Sequence, residues 1–216
     1  VATRLGHPLL PSAACVGNDI TVGPPGTFIL VSGSNMSGKS TLLRAIGINV
    51  ALAQAGAPVC AASLRLHPTA IITSMRIRDS LELGISYFMA ELTRLKLVVE
   101  EVQDAVDGGT QTPLFLLDEI LAGTNTGERR IAAAHIINYL VGLGATGAVS
   151  THDLALAESP ELSGSSKLVH FTESFTRGVE GLSMHFDYLL RPGVATTTNA
   201  LKLMEMAGLP LPEHVN

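Results

Sequence analysis

Apolar positions along this chain alternate between short unbroken runs and longer stretches of helical spacing. Residues 27–32 are apolar throughout their interior, at Phe28, Ile29, Leu30 and Val31, the pattern of a strand buried on both faces. Residues 39–55 then carry Leu42, Leu43, Ile46 and Val50 on one helical face, and Gly56-Ala57-Pro58 stops them. The β-branched stretch 69–74 predicts a strand. A long helix is predicted from about 86 to 106, where Leu92, Leu95, Val99 and Val102 share a face before Asp107-Gly108-Gly109 ends it. Residues 113–118 read as a second buried strand, 127–140 as a helix, and 146–151 as a fourth short strand followed by a helical turn ending near Pro160. Late in the chain, 167–172 and 181–190 predict an antiparallel pair joined by a polar loop over 174–180, and 198–207 turns helical. The first 26 residues, with Gly6-His7-Pro8 and Gly23-Pro24-Pro25-Gly26, predict short edge strands and turns. There is no internal repeat and no low-complexity tract. Strands alternating with helices predict an α/β fold with a mostly parallel central sheet, helices on both faces, and an antiparallel strand layer at the ends.

Composition narrows this picture. With 216 residues, 46% hydrophobic and only 15% charged, the chain can bury a sizeable core and is not a disordered segment. A net charge of −5 without a dense lysine or arginine run argues against direct grip on a nucleic-acid backbone by this segment. Cys15 and Cys60 lack metal-type spacing, so two reduced thiols are expected. No apolar stretch has the length of a membrane span and no signal peptide is present, which sets the expectation of a cytoplasmic location and no membrane contact. The chain opens at Val1 without methionine and stops soon after the apolar segment 201–211, as expected of a domain cut from a longer protein.

Chemistry enters at Gly33-Ser34-Asn35-Met36-Ser37-Gly38-Lys39-Ser40, with Thr41 behind it. The stretch sits between a predicted strand and a predicted helix, the setting that a glycine-rich phosphate-binding loop requires. Gly33 and Gly38 allow the backbone to curl so that its N–H groups point inward, and the helix N-terminus adds partial positive charge. Lys39 would reach the β- and γ-phosphates of a nucleotide, and Ser40 would hold Mg²⁺. Downstream, Asp118 and Glu119 close the strand 113–118, at the strand end where α/β sheets bind ligands. Asp118 can support Mg²⁺, and Glu119 is placed to orient or deprotonate an attacking water. Acidic residues also cap helices or end strands with no further role. His152 follows the strand 146–151 and faces the same edge, where it could sense the γ-phosphate or the lytic water, or else cap a helix or face solvent. His7, His67, His135, His170, His185 and His214 have no such placement and are assigned structural or surface roles. Ser86 opens the long helix, either as a plain N-cap or with that helix end facing a phosphate on another subunit.

In this order and over almost the whole chain, the motifs resemble the ATPase domain of the MutS family, within the ABC-type ATPases. His7-Pro8 with Asn18-Asp19-Ile20 resembles the family's opening segment, and Ser34 to Thr41 resembles its phosphate loop, set apart by the Asn35-Met36 pair. Ser86-Tyr87-Phe88-Met89-Ala90-Glu91 resembles its signature helix. Asp118-Glu119-Ile120 with Gly123-Thr124-Asn125-Thr126 resembles its acidic motif and following loop, and Ser150-Thr151-His152 its histidine switch. The resemblance implies a P-loop NTPase fold of ABC type over residues 1–195, with 196–216 starting a truncated helical dimerisation element. It implies ATP and Mg²⁺ as ligands, Asn35 positioning the γ-phosphate, and Ser86 contacting ATP bound to the partner. A homodimer through the ATPase face would complete each site in trans. Tyr188 falls where a ring stacks on adenine, though it also reads as a late-strand core residue, and Val16 falls where an apolar residue lines the other side. Ser34 and Ser37 stand where the mismatch-repair members usually carry Pro and Gly, and the stretch 76–80 is short, which suggests a divergent MutS-like branch. DNA contact is expected only through domains outside this segment.

Two other readings compete. One is a different ABC-type motor, which would bring a serine-glycine-glycine signature, a glutamine loop and a larger helical insertion before the acidic strand; the distance from Lys39 to Asp118 leaves little room for one. The other is a nucleotide-binding assembly scaffold with little turnover, against which Lys39, Asp118, Glu119 and His152 all stand.

Overall fold

The computed structural model describes residues 1–75, 87–121, 126–178 and 181–195, with Lys202, Met204 and Met206 helical beyond them. In chain order the elements are β1 (Ala2–Leu5), β2 (Asn18–Ile20), β3 (Phe28–Ser32), α1 (Lys39–Gln54), β4 (Ser63–Leu64), β5 (Thr69–Ser74), α2 (Tyr87–Gly108), β6 (Thr112–Asp118), α3 (Thr126–Gly142), β7 (Thr146–Thr151), α4 (Leu154–Ala157), β8 (Ser166–His170), β9 (Glu173–Gly178), β10 (Gly181–Phe186) and β11 (Arg191–Pro192). A six-stranded sheet runs in the order β11-β8-β3-β7-β6-β5. All of its neighbouring strands pair in parallel except β11, which lies antiparallel to β8.

The two faces of that sheet explain the unbroken apolar runs. Phe28, Leu30, Phe115 and Leu117 point into a core shared with α2, α3 and α4. Their neighbours Ile29, Val31, Leu114 and Leu116 point into a second core with α1 and the β1–β2 region. Side chains alternate across a strand, so a sheet covered on both faces needs apolar residues at every position. Beside it lies a three-stranded antiparallel sheet, β2-β1-β4, and β9 pairs with β10 as a separate antiparallel hairpin. The mostly parallel α/β sheet and the antiparallel additions at the ends therefore both appear. Among the described residues, no helix is long and apolar enough to cross a membrane.

One expectation is corrected. Residues 167–170 do not pair with the 181–190 strand; they lie in β8, parallel to β3 inside the main sheet. The partner of β10 is β9, within the segment expected to be a polar loop. Leu168 and Val169 pack into opposite cores, so β8 suits a sheet interior, whereas Ser174, Phe175 and Thr176 alternate as an exposed hairpin strand does. The predicted helix at 198–207 falls mostly outside the described residues, as does Ser86.

Parallel pairing sets all the relevant strand ends on one edge. Ser32 pairs with Thr151 and with His170, and Asp118 pairs with Ser150. At the centre of this stack Gly147 lies opposite Phe115, and a β-carbon on Gly147 would overlap the Phe115 ring and carbonyl. Glycine in a strand interior marks such a close approach. Replacing Gly147 with Val is expected to cost about 1–3 kcal/mol, the usual scale of core overpacking, read as a lower urea midpoint with an unchanged slope.

Candidate functional site

The loop between β3 and α1 closes on glycine geometry at two points. Gly33 has φ 143° and Gly38 φ 106°. A β-carbon on Gly33 would sit 2.9 Å from both the Phe171 carbonyl and Ser37 Oγ. One on Gly38 would sit 3.3 Å from the Tyr188 ring. Gly38 is also the N-cap of α1, which has neither a side-chain cap nor an acidic residue in its first turn. The first N–H groups of α1 therefore retain their capacity for an anion.

Lys39, the first residue of α1, is 4% exposed. Its ammonium donates to the Gly33 and Ser34 carbonyls, both at 2.9 Å, and lies 3.5 Å from Glu119 Oε1. A buried ammonium needs such partners for its three donors. Next along the helix, Ser40 Oγ donates to Asp118 Oδ1 at 2.9 Å, and Ser150 Oγ donates to the same oxygen. A carboxylate accepts and does not donate, so this oxygen ties α1, β6 and β7 together. A serine hydroxyl beside a carboxylate, all hard oxygen donors, fits a small divalent cation such as Mg²⁺.

Beyond Asp118 the backbone is strained. Glu119 and Leu121 have φ of 50° and 59°, a region uncommon for residues other than glycine. The Glu119 N–H donates to both the carbonyl and the hydroxyl of Ser150, and the Leu121 N–H to the buried carboxylate of Glu91 on α2. These bonds hold the turn so that the Glu119 carboxylate stands between Lys39 and His152, 3.7 Å from His152 Nδ1. The other ring nitrogen meets Arg129 Nη2 at 3.4 Å. A guanidinium only donates, so that contact makes Nε2 the acceptor and leaves the ring proton on Nδ1, toward Glu119.

A cavity of about 630 Å³ opens beside the loop. Asn35, Met36, Gly38, Lys39, Ser40, Thr41 and Glu119 line it, and so do Val16 and Tyr188. Tyr188 has φ 55° and is held by Asn18, whose Nδ2 donates to the Tyr188 carbonyl while its Oδ1 accepts the Leu190 N–H. The Arg191 guanidinium, paired through two nitrogens with Asp187, holds that carboxyl below the usual carboxylate range and braces the same turn.

The structure thus brings Lys39, Ser40, Asp118, Glu119 and His152 to one strand edge, and Val16 and Tyr188 to the same cavity as the loop. Gly33, Ser34 and Ser37 are not among the cavity's lining residues. The Ser34 hydroxyl turns away to Glu173 Oε2 at 2.9 Å, and the Ser37 hydroxyl is buried with no hydrogen-bond partner among the described residues. Ser86 lies outside the described residues. His7, assigned a structural or surface role from the sequence, lines the cavity, together with Leu5 and Gly6 at the end of β1. Ser150, Arg129 and Glu91 act through partners on other elements, and no spacing along the chain reveals those. The one sequence signal for Ser150 is its position two residues before His152.

The MutS domain V family model matches residues 29–215. DNA mismatch repair protein MSH6 of Arabidopsis thaliana is 31% identical over 97% of this chain and 16% of its own length. DNA mismatch repair protein MutS 2 of Halobacterium salinarum is 31% identical over 95% of this chain and 23% of its own. Endonuclease MutS2 of Thermus thermophilus is 31% identical over 96% of this chain and 26% of its own. The chain therefore spans about a quarter or less of these relatives. A glycine loop, an acidic strand end and a histidine strand end thus meet on one sheet edge in a chain that belongs to the MutS family, through its domain V.

Proposed function

We propose that this chain is the ATP-binding and ATP-hydrolysing part of a MutS-like DNA mismatch repair or DNA-metabolism protein, of the ABC ATPase type. The observation that carries the reading is the gathering of Lys39, the Ser40–Asp118–Ser150 cluster and Glu119 on one strand edge, beside a cavity with Tyr188 in its wall. The cavity volume lies within the range of small-molecule sites. Its lining carries a fixed ammonium and helix N–H groups for phosphates, and Tyr188 supplies a ring face for the base.

Lys39 would give its donors to phosphate oxygens in place of the Gly33 and Ser34 carbonyls, and Asn35 would help to position the γ-phosphate. Ser40 and Asp118 would hold Mg²⁺, whose charge helps neutralise the phosphates when bound. Glu119 would take the proton of the water that attacks the γ-phosphorus, while the bond to the β–γ bridging oxygen breaks and ADP leaves. His152, hydrogen-bonded at its far nitrogen by Arg129, would hold Glu119 or the product phosphate through Nδ1. Ser86 would serve the site of a second copy, making each site composite and the nucleotide a switch for pairing. DNA contact is assigned to parts of the protein outside these 216 residues, in keeping with the net charge of −5. Ser34 and Ser37 in the loop support a divergent branch of the family.

Turnover measured against protein concentration tests the shared site. Specific activity is expected to be low and to rise with concentration, and Ser86→Ala is expected to lower it. Activity independent of both would refute pairing. Glu119→Gln is expected to cut turnover by about 10²- to 10⁴-fold, the scale of a lost general base, while ATP accumulates in a dimer visible by light scattering. Tyr188→Ala should weaken nucleotide binding by up to roughly tenfold, the scale of one ring stack, and leave turnover at saturating ATP nearly unchanged.

A further inference from the structure

The chain's two cysteines, 45 positions apart, meet in space beside the cavity, with Cys15 on its wall. A β-carbon on Gly6 would overlap Cys15 Sγ and lie 3.1 Å from Cys60 Sγ, so the two sulfurs flank a single point. Both residues are partly exposed and both thiols are free. Cys15 lines the cavity, next to Val16, whereas Cys60 is not among the lining residues.

The two cysteines differ in how firmly they are held. Cys60 rests on a fixed base. Its N–H donates to Asn49 Oδ1 at 2.6 Å, its carbonyl accepts the Gly6 N–H at 2.8 Å, and Asn49 Nδ2 donates to the Gly6 carbonyl at 2.9 Å. Asn49 is fully buried on α1, the helix that begins at Lys39. Cys15 follows two successive turns, in which Leu10 N–H donates to the His7 carbonyl and Ala14 N–H to the Pro11 carbonyl. Its own thiol makes a long contact, 3.9 Å, to the His7 carbonyl and also meets the Cys60 thiol.

We infer that Cys15 and Cys60 form a reversible intrachain disulfide that acts as a redox-controlled site on the wall of the nucleotide cavity. Formation takes two exchange steps with a small-molecule disulfide such as oxidised glutathione. The Cys15 thiolate, on the accessible side, attacks one sulfur of the oxidant, displaces a glutathione thiolate and leaves a mixed disulfide. The Cys60 thiolate then attacks Cys15 Sγ, forming the Cys15–Cys60 bond and releasing the second glutathione thiolate. Two protein S–H bonds are lost, their protons pass to the two released thiolates, and the oxidant gains the two electrons. Burial pushes the Cys60 thiol up, and the adjacent Cys15 adds to the rise. The second step therefore speeds up with pH.

Bond formation draws the Cys15 sulfur from the cavity wall toward the Asn49-held base and pulls Val16 with it. This effect on ligand binding rests on the nucleotide reading above; the thiol pairing does not. The full 216-residue chain would be treated with oxidised glutathione and analysed by intact mass, peptide mapping and titration with a fluorescent ATP analogue. The expected product is a monomeric chain with a Cys15–Cys60 link and no free thiol. Its affinity should fall by roughly tenfold, the low end of what one misplaced wall contact is worth, and return on reduction with dithiothreitol. Cys60→Ser should keep the reduced affinity and trap glutathione on Cys15. Glutathione on both cysteines of the native chain, links only between chains, or an intrachain link with unchanged affinity would overturn the proposal. A reduced chain that binds no ATP analogue would overturn the nucleotide reading, while the peptide map would still decide the thiol pairing.

Discussion

One carboxylate oxygen, Asp118 Oδ1, holds the edge of this molecule together. It accepts hydroxyls from Ser40 on the first turn of α1 and from Ser150 on β7. Three separate elements are thereby fixed in one register at the strand ends. Hydrogen bonds to a charged acceptor are stronger than neutral ones, at about 1.5–3 kcal/mol each. The same oxygens suit a divalent cation, so the interactions that organise the edge are also those a metal would use. Parallel pairing of β6 with β7 makes the arrangement possible by setting Asp118 beside Ser150.

From that anchor a chain of contacts runs outward. The strained turn at Glu119 and Leu121, held by Ser150 and by buried Glu91, swings the Glu119 carboxylate between Lys39 and His152. Arg129 fixes the far side of the imidazole and also lies 4.0 Å from Asp153, the residue that caps α4. Glu91 thus ties α2 to the acidic turn through the Leu121 N–H, two residues beyond Glu119. Strained backbone persists where surrounding structure over-determines it, and here the constraint comes from β7 and α2 at once.

How much of this was legible in the sequence depends on how local each signal is. The apolar runs of β5 and β7 matched their observed bounds, and α1, α2 and α3 fell within two residues of theirs, because periodicity and glycine stops act along the chain. The loop from Gly33 to Ser40 and the pair Asp118-Glu119 were readable for the same reason. Strand order was not: β7 lies between β3 and β6, and only that placement gives Asp118 its contact with Ser150. The exchanged roles of β8 and β9 have a similar origin, since Leu168 and Val169 are explained by two cores that no single window contains. The nearness of Cys15 and Cys60 has no signal along the chain, because Asn49, on a third element, brings the backbone of Cys60 to Gly6. The role of Ser86 rests on the family resemblance and not on geometry.

The central claim is that the edge built on Asp118 and Lys39 receives the phosphates of a nucleotide. Isothermal titration of Mg²⁺·ATP into the wild-type chain and into a Lys39→Ala variant with an unchanged circular dichroism spectrum tests it most directly. The account predicts saturable binding of one nucleotide per chain in the wild type and loss of that binding in the variant. Equal binding by both chains, or none by the wild type, would contradict it.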